Sequence, residues 1–295
     1  MKVSIVVLNY NGLQNTLDCV ESLKKLNKDD NEIKIVVVDN ASSDGSKEKL
    51  SGLKGVELLI NDQNLGYSGG NNVGIKHAIK RGADAVLILN NDTYVDTNLI
   101  TSLVDTLKNA DIICPKIYFA PGFEFHKKRY SKKDLGNVIW YAGGHIDWAN
   151  ILGRHDGVDE IDKGQFSKSR EIDMATGAAL FVKREVFEKI GYFDEKYFLY
   201  LEDMDFCVRA KKSGFKIIFE PKAVLWHKNA GSSSSGSQLQ DYYITRNRLL
   251  FSFKHAQIRT KLAVFRDIAS KLNQPTKRKA FIDFLMLKFG KGFPS

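Results

Sequence analysis

The chain has 295 residues, 43% of them hydrophobic and 27% charged, a composition that supports a sizeable core and excludes a disordered chain. Three scattered cysteines, Cys19, Cys114 and Cys207, lack metal-ligand spacing and make no disulfide framework, and no apolar run reaches the roughly 18 to 20 residues of a membrane-spanning helix. The net charge of +9 is concentrated at one end, since residues 246–295 carry 12 Lys and Arg against two Asp while residues 1–245 carry 32 against 33 Asp and Glu; this speaks against a nucleic-acid groove in the body and for a surface-attachment device in the tail.

Val3-Ser-Ile-Val-Val-Leu-Asn9 is a strand of mostly apolar, β-branched residues, with the polar Tyr10-Asn11-Gly12 at its carboxyl end. A strand beginning at Val3 leaves no room for a signal peptide, so the expected location is the cytosol. Leu17, Val20 and Leu23 recur at helical spacing, 33–38 is a second buried strand ending in Asp39-Asn40, and a short helix runs to Leu50. Residues 56–60 and 85–89 make the third and fourth strands. Strands alternating with helices at this spacing predict an α/β fold with a mostly parallel, doubly wound sheet.

Between the last two strands lies Asn64-Leu-Gly-Tyr-Ser-Gly-Gly-Asn-Asn-Val-Gly74, with four glycines and three asparagines, leading into a helical run at 75–80. Glycine lets backbone approach a ligand closely, and a helix start attracts anions, so this stretch is expected to be a phosphate-holding turn. The alternative use of the glycines is tight helix–strand packing. Their spacing is not that of a dinucleotide fingerprint, which disfavours a nicotinamide cofactor. The fourth strand, Val86-Leu-Ile-Leu, runs into Asn90, Asn91 and Asp92, and a carboxylate at a buried strand's carboxyl end lies where open α/β sheets bind ligands. A divalent cation held there through oxygen would suit a nucleotide diphosphate.

Beyond a strand at 112–119, residues 121–170 read as a polar, aromatic, irregular stretch with Trp140, Tyr141, Gly143, Gly144, His145, Asp147, Trp148 and His155; a loop of that length is usually functional or mobile. Order returns with a strand at 178–182, an amphipathic segment at 184–190, a helix opened by Glu202-Asp203-Met-Asp205 and a strand pair around Ile217 and Val224 that leads to His227. The serine run 231–237 has the composition of a lid or linker. From Tyr242 the chain reads as helix, basic and amphipathic.

Taken in order, Ser4-Ile-Val-Val-Leu-Asn-Tyr-Asn-Gly12, Val38-Asp-Asn-Ala-Ser-Ser-Asp-Gly45, Asn64 to Asn72, Leu89-Asn-Asn-Asp-Thr93, Thr176-Gly-Ala-Ala-Leu180, Leu201-Glu-Asp-Met-Asp205 and His227 give a chain that resembles the inverting family-two glycosyltransferases of GT-A fold, close to their rhamnosyltransferase-like members. The resemblance covers roughly residues 3–250. It implies a nucleotide site at Asn9, Asn11, Asp39, Asn64, Gly69, Asn71 and Asn91, with Asp39 on the nucleoside. It implies a divalent cation, Mn²⁺ or Mg²⁺, on Asp92 and His227; this chain has Asn90-Asn91-Asp92 where the family has Asp-x-Asp, so Asp92 alone is an anionic ligand there. An imidazole ligand tilts the choice toward Mn²⁺. It further implies Asp203 as the catalytic base with Glu202 beside it, and Trp140, Gly143, Thr176 and Gly177 framing acceptor or sugar.

The implied activity is transfer of a sugar, rhamnose from a dTDP donor first and galactose or glucose from a uridine donor next, to a glycan or lipid-linked glycan of the cell surface. Each residue also has a bland use. Asp92 and Asp39 make good turn or cap residues, Glu202 and Asp203 favour a helix start, Asp205 is placed to pair with Arg209, and a lone His227 is as readily structural. Arg246 meets either the diphosphate or solvent. Two other functions stay open: a nucleotidyltransferase of the same fold, although Asn9 to Asn15 holds no basic residue, and a nucleic-acid- or membrane-binding protein acting through its tail. The expected division is 1–240, with a nucleotide half to 110 and an acceptor half beyond, followed by a tail at 241–295. That tail contacts a membrane, the body or a second copy of the chain.

Overall fold

The structure is a computed structural model that describes residues 1–126, 129–229 and 237–293. Of the serine run, 231–236 lie outside the described residues. The apolar runs read from the sequence become β1 (Lys2–Asn9), β2 (Glu32–Asp39), β3 (Val56–Ile60) and β4 (Ala85–Asn90), joined by α1 (Leu13–Leu23), α2 (Ser46–Ser51) and α3 (Gly66–Lys80). These strands lie parallel in the order β3-β2-β1-β4. Val36, Val37 and Val38 of β2, Ile5 to Val7 of β1 and Val86 to Leu89 of β4 are buried, as continuous apolar strands covered on both faces must be.

The chain continues through β5 (Thr93–Val95), α4 (Leu99–Thr106), β6 (Ile112–Phe119), β7 (Ile139–Tyr141), β8 (Gly144–Asp147), β9 (Leu152–His155) and β10 (Arg170–Glu171). The stretch 121–170 is therefore less irregular than its composition suggests; β8 and β9 pair as a separate two-stranded ribbon. Then come β11 (Ala179–Lys183), α5 (Arg184–Ile190), α6 (Glu202–Lys212) and β12 (Ile217–His227). The main sheet runs β10-β12-β6-β11-β4-β1-β2-β3, and β11 is antiparallel to both β4 and β6. The sheet is thus mixed, with parallel pairs in the majority along that order. The expected strand pair near 217 and 224 is one strand, β12, that follows β6 throughout and shifts register between Glu220 and Val224; Pro221 lies within that shift, where a residue without an N–H is tolerated.

One boundary moves with a functional consequence. The glycine-rich stretch expected as a turn before residue 75 is the first half of α3, which starts at Gly66. A Cβ on Gly70 would meet Leu8 Cδ1 at 2.5 Å, and one on Gly74 would meet Val6 Cγ1 at 2.4 Å. Those glycines let α3 press against β1 more closely than a helix with side chains could.

Three helices close the chain: α7 (Gln238–His255), capped by the Ser237 hydroxyl accepting from Gln240 N, α8 (Ile258–Ala269) and α9 (Pro275–Leu285). Tyr242, Tyr243, Leu249 and Phe251 of α7 are buried. No helix among the described residues is long and apolar enough to cross a membrane.

Candidate functional site

The carboxyl ends of β1, β2 and β4 are tied by side chains. Asn9 Nδ2 donates to Asp39 Oδ1 (2.8 Å) and to Ser42 Oγ (3.1 Å). Asn9 Oδ1 accepts from the Thr16 hydroxyl (2.8 Å), which in turn accepts from Asn91 Nδ2 (2.9 Å). One polar chain therefore joins Asp39, Asn9, Thr16 and Asn91, all at the ligand-binding end of the sheet. Asn11 is left-handed, with φ 50°, and its Oδ1 accepts from Ser43 N at 2.7 Å. Asn64 accepts from Asn40 Nδ2 (2.9 Å) and Gly66 N (2.8 Å), so it organises the start of α3. Gly69 and Asn71 lie inside that helix; Asn71 is buried, its Nδ2 bonds Tyr67 O, and its Oδ1 has no partner.

Asp92 follows β4 in the tight turn to β5, and β5 pairs with β12 so that Thr93 stands opposite His227. That register brings His227 Nε2 to 2.9 Å from Asp92 Oδ1, with both residues buried. Lys228 N also donates to Asp92 O, and the Trp140 ring stands edge-on to His227 with centroids 4.6 Å apart. His227 Nδ1 is buried without a partner. One carboxylate oxygen and one imidazole nitrogen facing each other, beside an orphaned imidazole nitrogen, form a donor set that fits a divalent cation of the Mn²⁺ type. Among the described residues no group of three or more His, Cys, Asp and Glu side chains gathers as a metal cage, so ligand oxygens and water would complete the shell.

The second carboxylate group opens α6. Asp203 Oδ2 accepts from Gly177 N (2.8 Å) and Oδ1 from Met204 N (2.7 Å). Burial lifts the Asp203 carboxyl above its ordinary range while those two N–H groups oppose the rise. Glu202 is buried, with Oε2 unpartnered, and burial together with the charge of Asp203 pushes it well above its ordinary range. Burial thus acts on both carboxyls, but Asp203 has two N–H partners and a helix start that favour its charged form, whereas Glu202 Oε2 has none. Tyr67 of α3 closes the group. Its hydroxyl donates to Gly177 O, and burial, with Glu202 and Asp203 nearby, drives its acidity down.

A backbone relay connects these two parts. Asn90 N donates to Ala178 O (3.0 Å), and Ala178 follows the glycine that holds Asp203. Asn90 to Asp92 and Thr176 to Ala178 are thus adjacent chain ends on β4 and β11. Gly177 is required there, because a Cβ would lie 2.8 Å from the Tyr67 hydroxyl. Gly143 stands apart in purpose: with φ +117° it passes beneath the Arg170 guanidinium, 2.5 Å from where a Cβ would be, and Arg170 bonds Ala142 O and Asp156.

Three roles are not legible in the sequence: Thr16 lies outside the motifs, and Asn40 and Tyr67 lie inside them with no signal of their own, since a single polar residue in a helix or loop gives no period. Arg246, expected on the diphosphate or in solvent, is fully buried, and its guanidinium bonds the carbonyls of Lys196, Tyr197 and Gly290. Asp205 does pair with Arg209 (2.8 Å), and it also meets Lys254 and His255 of α7. Burial would raise its pKa, yet the His255, Arg209 and Lys254 contacts hold it far below the usual carboxylate range.

A model of glycosyl transferase family 2 matches residues 4–191. The chain is 27% identical over 254 residues to a low-salt glycan biosynthesis hexosyltransferase of Haloferax volcanii, covering 85% of this chain and 75% of that protein. It is 24% identical over 262 residues to a dTDP-rhamnosyl transferase of Shigella flexneri, covering 85% and 79%. It is also similar, at 26% over 214 residues and 68% of each chain, to an N-acetylglucosaminyl-diphospho-decaprenol L-rhamnosyltransferase of Mycobacterium tuberculosis. Among solved structures it superposes with TM-score 0.57 on a mannosyltransferase of Pyrobaculum calidifontis in complex with GDP-Man and Mn²⁺, at 13% identity over 97% of this chain and 87% of that one. With GalNAc-T7 bearing UDP, GalNAc and Mn²⁺ the TM-score is 0.63, at 17% identity over 90% of this chain and 54% of that one.

Proposed function

The chain belongs to glycosyl transferase family 2, and from that premise we propose that this GT-A glycosyltransferase moves a hexose with inversion from a nucleotide diphosphate to a glycan or lipid-linked glycan of the cell surface. Rhamnose from a dTDP donor is the first choice of sugar. The relatives named for rhamnosyl transfer, one of them onto a decaprenol-linked sugar, support it. The observation that carries the reading is the relay through Ala178 and Gly177, which ties the strand end bearing Asp92 to the carboxylate of Asp203.

In this reading Asp39 and Asn9, with Asn11, Asn64, Gly69, Asn71 and Asn91 around them, shape the nucleotide site, and Asp92 and His227 would hold a divalent cation. Bound there, it would supply neutralisation of the leaving diphosphate's charge. Asp203 accepts the proton of the attacking acceptor hydroxyl, a contribution of about 10² to 10⁴-fold for a well-placed base. Glu202, being neutral, offers a hydrogen bond without competing for that proton. Trp140, Thr176 and Gly177 frame acceptor and sugar. The protein works on the cytoplasmic side, with its tail against the membrane surface.

Calorimetric titration with dTDP, UDP and GDP, each with and without Mn²⁺, tests the reading, with Asp92→Ala as control. Metal-dependent binding of one diphosphate that vanishes in the variant is expected. Absence of binding to all three, under every condition, overturns it.

A further inference from the structure

The five consecutive carbonyls of 196–200, immediately before the Glu202-Asp203 pair, are all held by donors from outside the segment. Arg246 Nη2 donates to Lys196 O and Tyr197 O, each at 3.0 Å. Asn247 Nδ2 donates to Tyr197 O (2.9 Å), Leu199 O (2.8 Å) and Tyr200 O (2.9 Å). Phe198 O accepts from Ser68 N of α3 (3.2 Å), and its ring stacks on Tyr243 with centroids 5.2 Å apart. Arg246 Nε is fixed in turn by Asn247 Oδ1 at 3.1 Å.

This segment needs such a hold. Phe198, Tyr200 and Leu201 have φ of 64°, 70° and 69°, left-handed values that a side chain bearing a Cβ disfavours. Leu201 is the residue that launches α6, so its conformation aims the first turn, and Asp203 is in that turn. Both Arg246 and Asn247 are fully buried. Residues in rare conformations persist when their surroundings over-determine them, and they cluster where geometry matters for chemistry.

We propose that Arg246 and Asn247 of α7 are positioning residues for glycosyl transfer: they lock 196–201 so that Asp203 meets Gly177 N at the acceptor side of the site. The inference rests on the proposed role of Asp203. It makes the amino-terminal part of the tail a component of the catalytic machinery rather than an appendage. Neither residue touches substrate; both act through the backbone they hold.

The test uses the full chain with Asn247→Ala, and Arg246→Lys as the milder variant should the first not fold, since lysine keeps the charge but cannot fork to two carbonyls. Amide exchange in peptides spanning 196–204 is expected to rise at least tenfold, while peptides from β1 and β4 keep their protection. Hydrolysis of dTDP-rhamnose, or of UDP-glucose where UDP is the diphosphate bound, is expected to fall about 10- to 100-fold through kcat, with diphosphate affinity within twofold of the parent. Unchanged exchange in 196–204 overturns the clamp. Faster exchange with an unchanged kcat, or a loss of kcat matched by an equal loss of diphosphate affinity, overturns the positioning role. A parent protein that binds no diphosphate defeats the transferase reading instead, and the exchange measurement still decides whether the clamp exists.

Discussion

Asp203 and Glu202 are adjacent in sequence and differ in environment, because one has two backbone N–H partners and the other has an orphaned oxygen. Replacing Asp203 with Asn removes the proposed base while leaving the side chains of the proposed nucleotide site unchanged. Transfer should drop by about 10² to 10⁴-fold with diphosphate affinity retained, as kinetics and calorimetry on one preparation will show; full activity would remove Asp203 from the mechanism. Glu202 gives a stability signature of definite sign. Its folded pKa is raised, so the folded state holds a proton that the unfolded state releases once pH passes the ordinary Glu value. Stability that is intact at acid pH is therefore lost as pH climbs from that value toward the raised one. Glu202→Gln cannot titrate, so its melting temperature relative to the parent should rise between pH 4 and pH 8; a difference that stays flat with pH contradicts the neutral-acid assignment. The sequence exposed both carboxylates, because they open a helix in a recognisable string. It could not divide their roles, since the deciding contact comes from Gly177, 26 residues away.

At the scale of elements, α3 shows how one composition serves two purposes. Glycines at 66, 69, 70 and 74 read as a phosphate turn because flexibility and close approach have the same signature in one dimension. For Gly70 and Gly74, the position of Val6, Leu8 and Val38 on the neighbouring strands separates them. Gly74→Ala tests the packing account. Helix propensity favours alanine by about 1 kcal/mol, whereas overpacking costs about 1–3 kcal/mol. The new methyl would lie 2.4 Å from Val6 Cγ1 and 2.9 Å from Val38 Cγ2, and β-branched neighbours have few rotamers to retreat into. The clash should win, giving a net loss in urea denaturation, while Gly52→Ala, with only Lys49 O at 3.8 Å, should change stability by no more than about 0.5 kcal/mol. A Gly74→Ala protein as stable as the parent would return the glycines to a ligand role. The first four strands were legible since each is a continuous apolar run. By contrast, β7 to β10 are two to four residues long, too short for a period-two pattern to declare itself.

For the whole molecule, the charge at the carboxyl end divides into two populations. Arg246, Arg248, Lys254, Lys271, Lys277 and Lys279 are spent on carbonyls or carboxylates within the fold. Arg259, Lys261, Arg266, Arg278, Lys288 and Lys291 have no ion-pair partner among the described residues, and they accompany the exposed Ile258, Leu262, Ile282, Leu285, Met286 and Leu287. Exposed apolar side chains flanked by basic ones suit an anionic lipid surface, with about 1 kcal/mol from each basic residue near it. Cutting the tail away is a poor test, because Gly290 accepts from Arg246 and Asp283 from Tyr242, so truncation would also loosen α7. Substituting Arg259, Lys261 and Arg266 together by alanine leaves those contacts in place. Partitioning onto phosphatidylglycerol vesicles should then weaken by about 3 kcal/mol, roughly 10²-fold, and Leu262→Glu should weaken it further at high salt, where the apolar contribution dominates. Sedimentation in which the triple variant binds as the parent does, or in which neutral vesicles capture both equally, would assign the outward face to a second copy of the chain. Its concentration-dependent mass would then replace the vesicle as the measurement to make.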